Sequence, residues 1–191
     1  MVFWVSASLD VEAADVVRTR SFWSAVTGSA LPAHLVVRPT AGPPGVHVHP
    51  HDDDRVPAVP APASFPGVRR SRVYQVCVDI PGPAFEAEAQ RWASLTGGSI
   101  DVLERRPEFA WVRMPGGPRP LDVLLQRLDR QDGSVAAHLD LGTTDREAET
   151  ARHRSLGAGL VARQEFWTVL TDPAGLAYCI TDRDPATGEL G

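Results

Sequence analysis

One spacing recurs along this chain. Thirteen residues separate Asp79 from Trp92, and thirteen separate Asp10 from Trp23. Leu95-Thr96-Gly97 follows the first tryptophan and Val26-Thr27-Gly28 the second, with the glycine 18 residues after the aspartate in both copies. A looser third copy runs from His138-Leu139-Asp140-Leu141 to Leu156-Gly157-Ala158, with Gly157 17 residues after Asp140. Self-similarity at a fixed spacing means that one supersecondary unit is used several times, which constrains the fold more than composition does. Each copy reads as a short strand, a helix and a glycine stop.

The second copy is the clearest. Val73 to Ile80 alternates as a strand, with Gln75, Cys77 and Asp79 on one face and Val76, Val78 and Ile80 on the other. Pro81-Gly82-Pro83 breaks it. Phe85, Ala89, Trp92 and Ala93 then form an apolar helical stripe that Gly97-Gly98 ends. Strand-like runs follow at 100–103, 109–114 and 121–128, with Gly116-Gly117-Pro118 as a turn. The order is βαβββ.

The third copy has the same order: a strand at 137–141, a helix, then strands at 160–163, 167–170 and 176–181. Thr144-Asp145-Arg146-Glu147 has capping-box spacing, which predicts Thr144 as N-cap and Glu147 at N3. Ala148, Ala151 and Ser155 are expected on one helix face, and Asp172-Pro173-Ala174-Gly175 is a turn. The first copy has only a strand at 3–9, a helix near 12–26 and one further strand at 35–38. The proline-dense stretch 39–72 reads as mostly extended linker. This copy is therefore a truncated module that would not fold alone.

Composition removes several functions. All 19 basic residues are arginine, the chain has no lysine or asparagine, and the net charge is −5. The absence of lysine excludes a Schiff-base lysine and a Walker A loop, and the absence of asparagine excludes N-glycosylation. Nothing basic enough for nucleic acid or an anionic membrane is present, and no apolar run approaches the roughly 18 residues of a membrane span. Residues 1–9 lack the features of a leader peptide. Cys77 and Cys179 fit no zinc spacing and make no disulfide framework, so the expectation is a reduced, cytoplasmic protein.

At this level the chain resembles the vicinal oxygen chelate superfamily of glyoxalase I, bleomycin-resistance proteins and extradiol dioxygenases. The resemblance rests on four motifs. Two are Arg91-Trp92…Leu95-Thr96-Gly97 and Phe22-Trp23…Val26-Thr27-Gly28. The third is His138 opening a strand before Leu156-Gly157-Ala158. The fourth is Val169-Leu170-Thr171-Asp172-Pro173-Ala174-Gly175, which looks like the family's hairpin before its final strand. The chain looks most like the glyoxalase-like domains of actinobacteria. The resemblance implies an α+β fold in which paired βαβββ modules form a curved, open sheet barrel. Its helices lie outside, and its concave face holds substrate or metal. The expected organisation is a truncated module at 1–50, a linker at 51–71 and a glyoxalase-like domain at 72–184, with modules 72–128 and 136–182.

The resemblance also places metal ligands on the first and last strands of each module, here Gln75, Gln126, His138 and Cys179. This set has no carboxylate, although open catalytic metal sites rely on carboxylates for charge and proton transfer. The adopted expectation is a small molecule held in the concave cleft by Gln75, Gln126, His138, Cys179, Asp79 and Asp140, without metal or other cofactor. The alternative is a lyase, isomerase or dioxygenase that depends on a divalent metal or uses His138 with Asp140 or Asp79 as acid and base. Residues 1–38 are expected to pack against the main domain or a second chain, and a homodimer would cover the unfinished sheet of the first module.

Other features are less specific. His47, His49 and His51 precede three aspartates and could take a divalent ion, but their proline-rich surroundings favour a solvated loop. Arg105-Arg106 reads as a solvated turn. Phe109, Trp111 and Trp167 lie on strands, either in the core or on the face that lines the concavity.

Overall fold

The structure is a computed structural model that describes residues 4–28, 31–52, 71–116 and 119–184. The second module is β4 (Arg72–Pro81), α2 (Phe85–Thr96), β5 (Ser99–Val102), β6 (Phe109–Arg113) and β7 (Asp122–Leu128). The third is β8 (Ala136–Gly142), α3 (Arg146–Ser155), β9 (Gly159–Arg163), β10 (Trp167–Thr171) and β11 (Ala177–Thr181). Ahead of them stand β1 (Trp4–Val11), α1 (Val16–Thr27), β2 (Leu35–Pro39) and β3 (Gly45–His51). Residues 1–3, 29, 30, 53–70, 117, 118 and 185–191 lie outside the described residues, so the start of the first expected strand, most of the expected linker, part of the Gly116 turn and the tail carry no structural account.

Both complete modules join one open eight-stranded sheet in the order β5-β6-β7-β4-β8-β11-β10-β9. Within each module the first and last strands run parallel, β4 with β7 and β8 with β11. The modules meet where β4 and β8 pair antiparallel. Cys77 stands directly opposite His138, while Asp79 faces Ala136 and Asp140 faces Gln75. The 61-residue offset that carries Asp79 to Asp140 also carries Cys77 to His138, so this pair marks the pseudo-twofold axis of the repeat.

Alternation sets the two faces of this sheet. Val76, Val78, Ile80, Leu139, Leu141, Tyr178 and Ile180 enter the core beneath the helices. α2 adds Phe85, Ala89 and Trp92, as its stripe predicts, and Gly97 ends it with φ 63°. That left-handed conformation favours glycine because a Cβ would clash.

The buried face of α3 is polar. Glu149, Thr150 and His153 are buried, not the Ala148, Ala151 and Ser155 that periodicity selects. The reason is a sealed network. Ser71 Oγ donates to Glu149 Oε2 at 2.6 Å and lies 3.1 Å from His153 Nε2, while His153 Nδ1 lies 3.0 Å from the Tyr178 hydroxyl. Burial would raise the Glu149 carboxyl, but hydrogen bonds from His153, Arg152 and Ser71 hold it down at about 2. Buried polar groups cost little when paired as Glu149 and His153 are, while the Thr150 hydroxyl has no hydrogen-bond partner among the described residues. The N-cap is also one residue later than expected: Asp145 accepts the Ala148 N–H at 2.9 Å.

The truncated module has its own three-stranded sheet, β2-β1-β3. β1 and β2 run parallel, as the first and last strands of the complete modules do, so the two middle strands are the missing part. β3 overturns the loop reading of residues 47–51. It pairs antiparallel with β1, setting Ser8 opposite His47 as Cys77 is set opposite His138. Val46 and Val48 pack on the core, while His49 and His51 bond Ser8 and Ser6 at 2.9 and 2.8 Å on the polar face. α1 docks on the third module. Phe22 and Trp23 pack on Tyr178, and Arg152 donates to the carbonyls of Ala25 and Val26.

Candidate functional site

The sheet face opposite the helices carries the candidate site. Alternation brings Gln75, Cys77 and Asp79 of β4 to it, with Leu124 and Gln126 of β7, His138 and Asp140 of β8, and Cys179 of β11. All six sequence-selected residues therefore share one face. Gln75 and Gln126 do not bond each other. Gln75 Nε2 donates to Asp140 Oδ2, and the Cys77 thiol donates to Gln126 Oε1 at 3.7 Å.

His138 is the centre of the arrangement. Its Nδ1 lies 2.8 Å from Asp79 Oδ2 and its Nε2 lies 3.4 Å from Asp140 Oδ1. Burial works against the charged ring, but Cys77, Asp140, Asp79 and Cys179 together raise its pKa well above the ordinary histidine value. Burial pushes the Cys77 thiol up to about 12. The ring is clasped between the Asp79 and Asp140 carboxyl groups.

The resemblance implies a divalent metal on this face. Two trios bring candidate ligand atoms within 4.8 Å of one another: Cys77, Asp79 and His138, and His138, Asp140 and Cys179. The structure thus supplies the carboxylates that the four sequence-selected ligand positions lack. The state of these donors works against an ion. A metal takes neutral imidazole and thiolate, whereas here both ring nitrogens face carboxylates and burial raises both thiols. As arranged, both ring nitrogens of His138 are taken up by carboxyl groups, so an ion on this ring would have to displace one of them.

The register also corrects one position. Cys77, not Gln75, is the counterpart of His138, and Gln126 and Cys179 correspond because they face Asp79 and Asp140 on their last strands. Cys77 is the site residue that the sequence reading passed over, and the 61-residue offset was the signal for it.

Aromatic side chains bridge the trough above this floor. Phe109 pairs with Gln126 and Trp167 with Thr181, so both face the concave side. Five strand-to-strand steps separate β6 from β10, roughly 24 Å across a flat sheet. Yet the two rings meet edge to face at 6.0 Å, so the sheet curls until its wings touch. Arg106 is not a solvated turn residue: its guanidinium lies 5.3 Å from the Phe109 ring and 5.2 Å from the Trp167 ring, held by Glu108 at 2.6 Å. Arg183, from beyond β11, reaches back over Trp111 at 5.3 Å and Tyr74 at 6.0 Å. Two arginine–aromatic contacts thus tie one module to the other across the site.

The glyoxalase-like domain family matches residues 75–181, more than half of the chain and nearly all of both complete modules. The chain belongs to this family, within the vicinal oxygen chelate superfamily. Among solved structures it is similar to a variant of Streptomyces coelicolor methylmalonyl-CoA epimerase in complex with 2-nitronate-propionyl-CoA. That likeness has 15% identity and a TM-score of 0.41 over 58% of this chain and 97% of that one. It is also similar to the Mn(II)-bound glyoxalase from Novosphingobium aromaticivorans, at 22% identity and a TM-score of 0.44 over 62% of this chain and 42% of that one. A mutant 4-hydroxymandelate synthase from Streptomyces coelicolor spans more of this chain, 96% against 72% of its own, at 15% identity and a TM-score of 0.39. No curated protein matches the chain significantly.

Proposed function

We propose that this protein binds a small organic molecule in its concave trough without a resident metal, in the cytoplasm and as a homodimer. The observation that carries the reading is the clasp: His138 lies between Asp79 and Asp140, with a carboxyl group against each ring nitrogen where an ion would have to bind. The ligand-facing groups are then the half-buried Asp79 and Gln126, with Gln75, Asp140 and Cys179 beneath them and aromatic walls above. A pocket with apolar walls and a few fixed polar groups is the general form of a small-molecule site. No helix of the described residues is long and apolar enough to cross a membrane.

Native mass spectrometry and elemental analysis of gently purified protein test this reading. The expected result is well below one metal per chain in the wild type and no change of metal content in His138→Ala. Near one metal per chain, lost in that variant, would instead establish the metal-dependent enzyme. Light scattering at high micromolar concentration tests the dimer, and a monodisperse monomer removes it.

A further inference from the structure

The bridge over the trough deepens this reading and rests on it. Among the described residues, the two wings meet through π faces and the guanidinium groups laid on them. Arg106 lies over Phe109 and Trp167, and Arg183 lies over Trp111. Arginine on an aromatic face is a stacking contact in which the flat guanidinium can be exchanged for another flat group. Aliphatic branched groups cannot make that exchange without parting the wings further. Arg106 is suited to move, because its side chain is 37% exposed and its ion-pair partner Glu108 is 36% exposed.

We infer that Arg106, Phe109 and Trp167 determine specificity by admitting planar, conjugated molecules, which enter by taking the place of the Arg106 guanidinium on the two rings. Bulkier saturated molecules of similar size are excluded. The ligand class is therefore a flat aromatic or conjugated compound, with its polar end toward Asp79 and Gln126.

The two cysteines report entry without knowledge of the ligand. They are the only thiols in the chain, both are buried, and both lie on the floor of the site. The experiment compares rates of modification by N-phenylmaleimide, which is planar, and N-cyclohexylmaleimide, which is not. Each rate is divided by that for N-acetylcysteine at the same pH, so intrinsic reactivity cancels. The expected preference for the phenyl reagent in the native chain is on the order of tenfold, the discrimination that a shaped pocket gives for a small change in its ligand. It should vanish in Phe109→Leu and in Arg106→Gln. The Arg106 side chain is 37% exposed, and circular dichroism and the urea midpoint of this variant check that its fold is kept.

Equal normalised rates in the native chain overturn the inference. So does a preference that survives both substitutions, or a native chain that neither reagent modifies while the urea-unfolded chain reacts. Labelling that begins only after a chelator is added overturns the metal-free reading instead, and the ratio measured after chelation still decides the slot.

Discussion

Cys77 and His138 face each other across the β4–β8 pair at the axis about which the two modules repeat. One position thus holds a thiol in one module and an imidazole in the other. The asymmetry places a single imidazole ring between Asp79 and Asp140, and it makes the clasp the first object of test.

His138→Gln removes the charge that separates two carboxylates. Breaking a buried ion pair by deleting one partner costs about 3–5 kcal/mol, because the remaining charge is left unpaired. The loss is read as a shift in urea midpoint with unchanged slope. The pH dependence has a definite sign. The folded pKa of His138 lies above its unfolded value, so its contribution is complete below about pH 6.5 and is lost as pH rises through the folded value. Wild-type stability should fall on the alkaline side with a slope that His138→Gln lacks. Parallel pH curves for the two proteins would mean that the ring is not protonated in the fold.

How much of this was legible in the sequence depends on the kind of signal. The Asp-to-Gly spacing gave both complete modules, and the apolar stripe through Trp92 gave the orientation of α2, because each element repeats with its own periodicity. Alternation chose the site face but not the position along it, since Gln75 and Cys77 point the same way and only strand pairing separates them. β3 was hidden because proline-dense composition masks a strand whose backbone is completed by a distant partner. The buried face of α3 was hidden because hydrophobic periodicity counts Glu149 and His153 as solvent-facing. The Phe109–Trp167 contact depends on how far the sheet curls, which no local pattern records.

Trp92 tests the helix face that periodicity did identify. It is 5% exposed on α2 and packs in the shared core. Trp92→Ala should cost about 3–5 kcal/mol, the usual range for deleting a large core aromatic. A denaturation midpoint close to that of the wild type would place the stripe toward solvent.

Trp23 tests the docking of the truncated module. Its indole N–H donates to Asp172 Oδ2 at 3.0 Å inside the protein, while the N–H groups of Ala174 and Leu176 occupy Oδ1. Burial raises the Asp172 carboxyl, and the Trp23 bond opposes that rise. Trp23→Phe keeps most of the ring and removes the donor, leaving a buried carboxylate oxygen unpaired at a cost of about 1–3 kcal/mol. The measurement is equilibrium unfolding at neutral pH. An unchanged midpoint would show that the contact between α1 and the third module holds without this bond.

His34 sets the acid limit. It is 3% exposed, and neither ring nitrogen has a hydrogen-bond partner among the described residues. Burial, with the Arg72 charge nearby, brings its pKa down to about 4. The folded ring therefore stays neutral where the unfolded ring, near 6.5, already takes a proton. Between these values the unfolded state binds more protons at this residue, so the stability that His34 contributes falls as pH falls from about 6.5 and levels off below about 4. The full difference is worth about 3 kcal/mol. His34→Leu fills much of the same space and has nothing to titrate. Its stability curve should lose this acid slope while keeping the alkaline slope that His138 supplies. Urea unfolding of both proteins from pH 4 to 7 measures the difference, and a variant that loses stability as steeply as the wild type would place the acid sensitivity elsewhere.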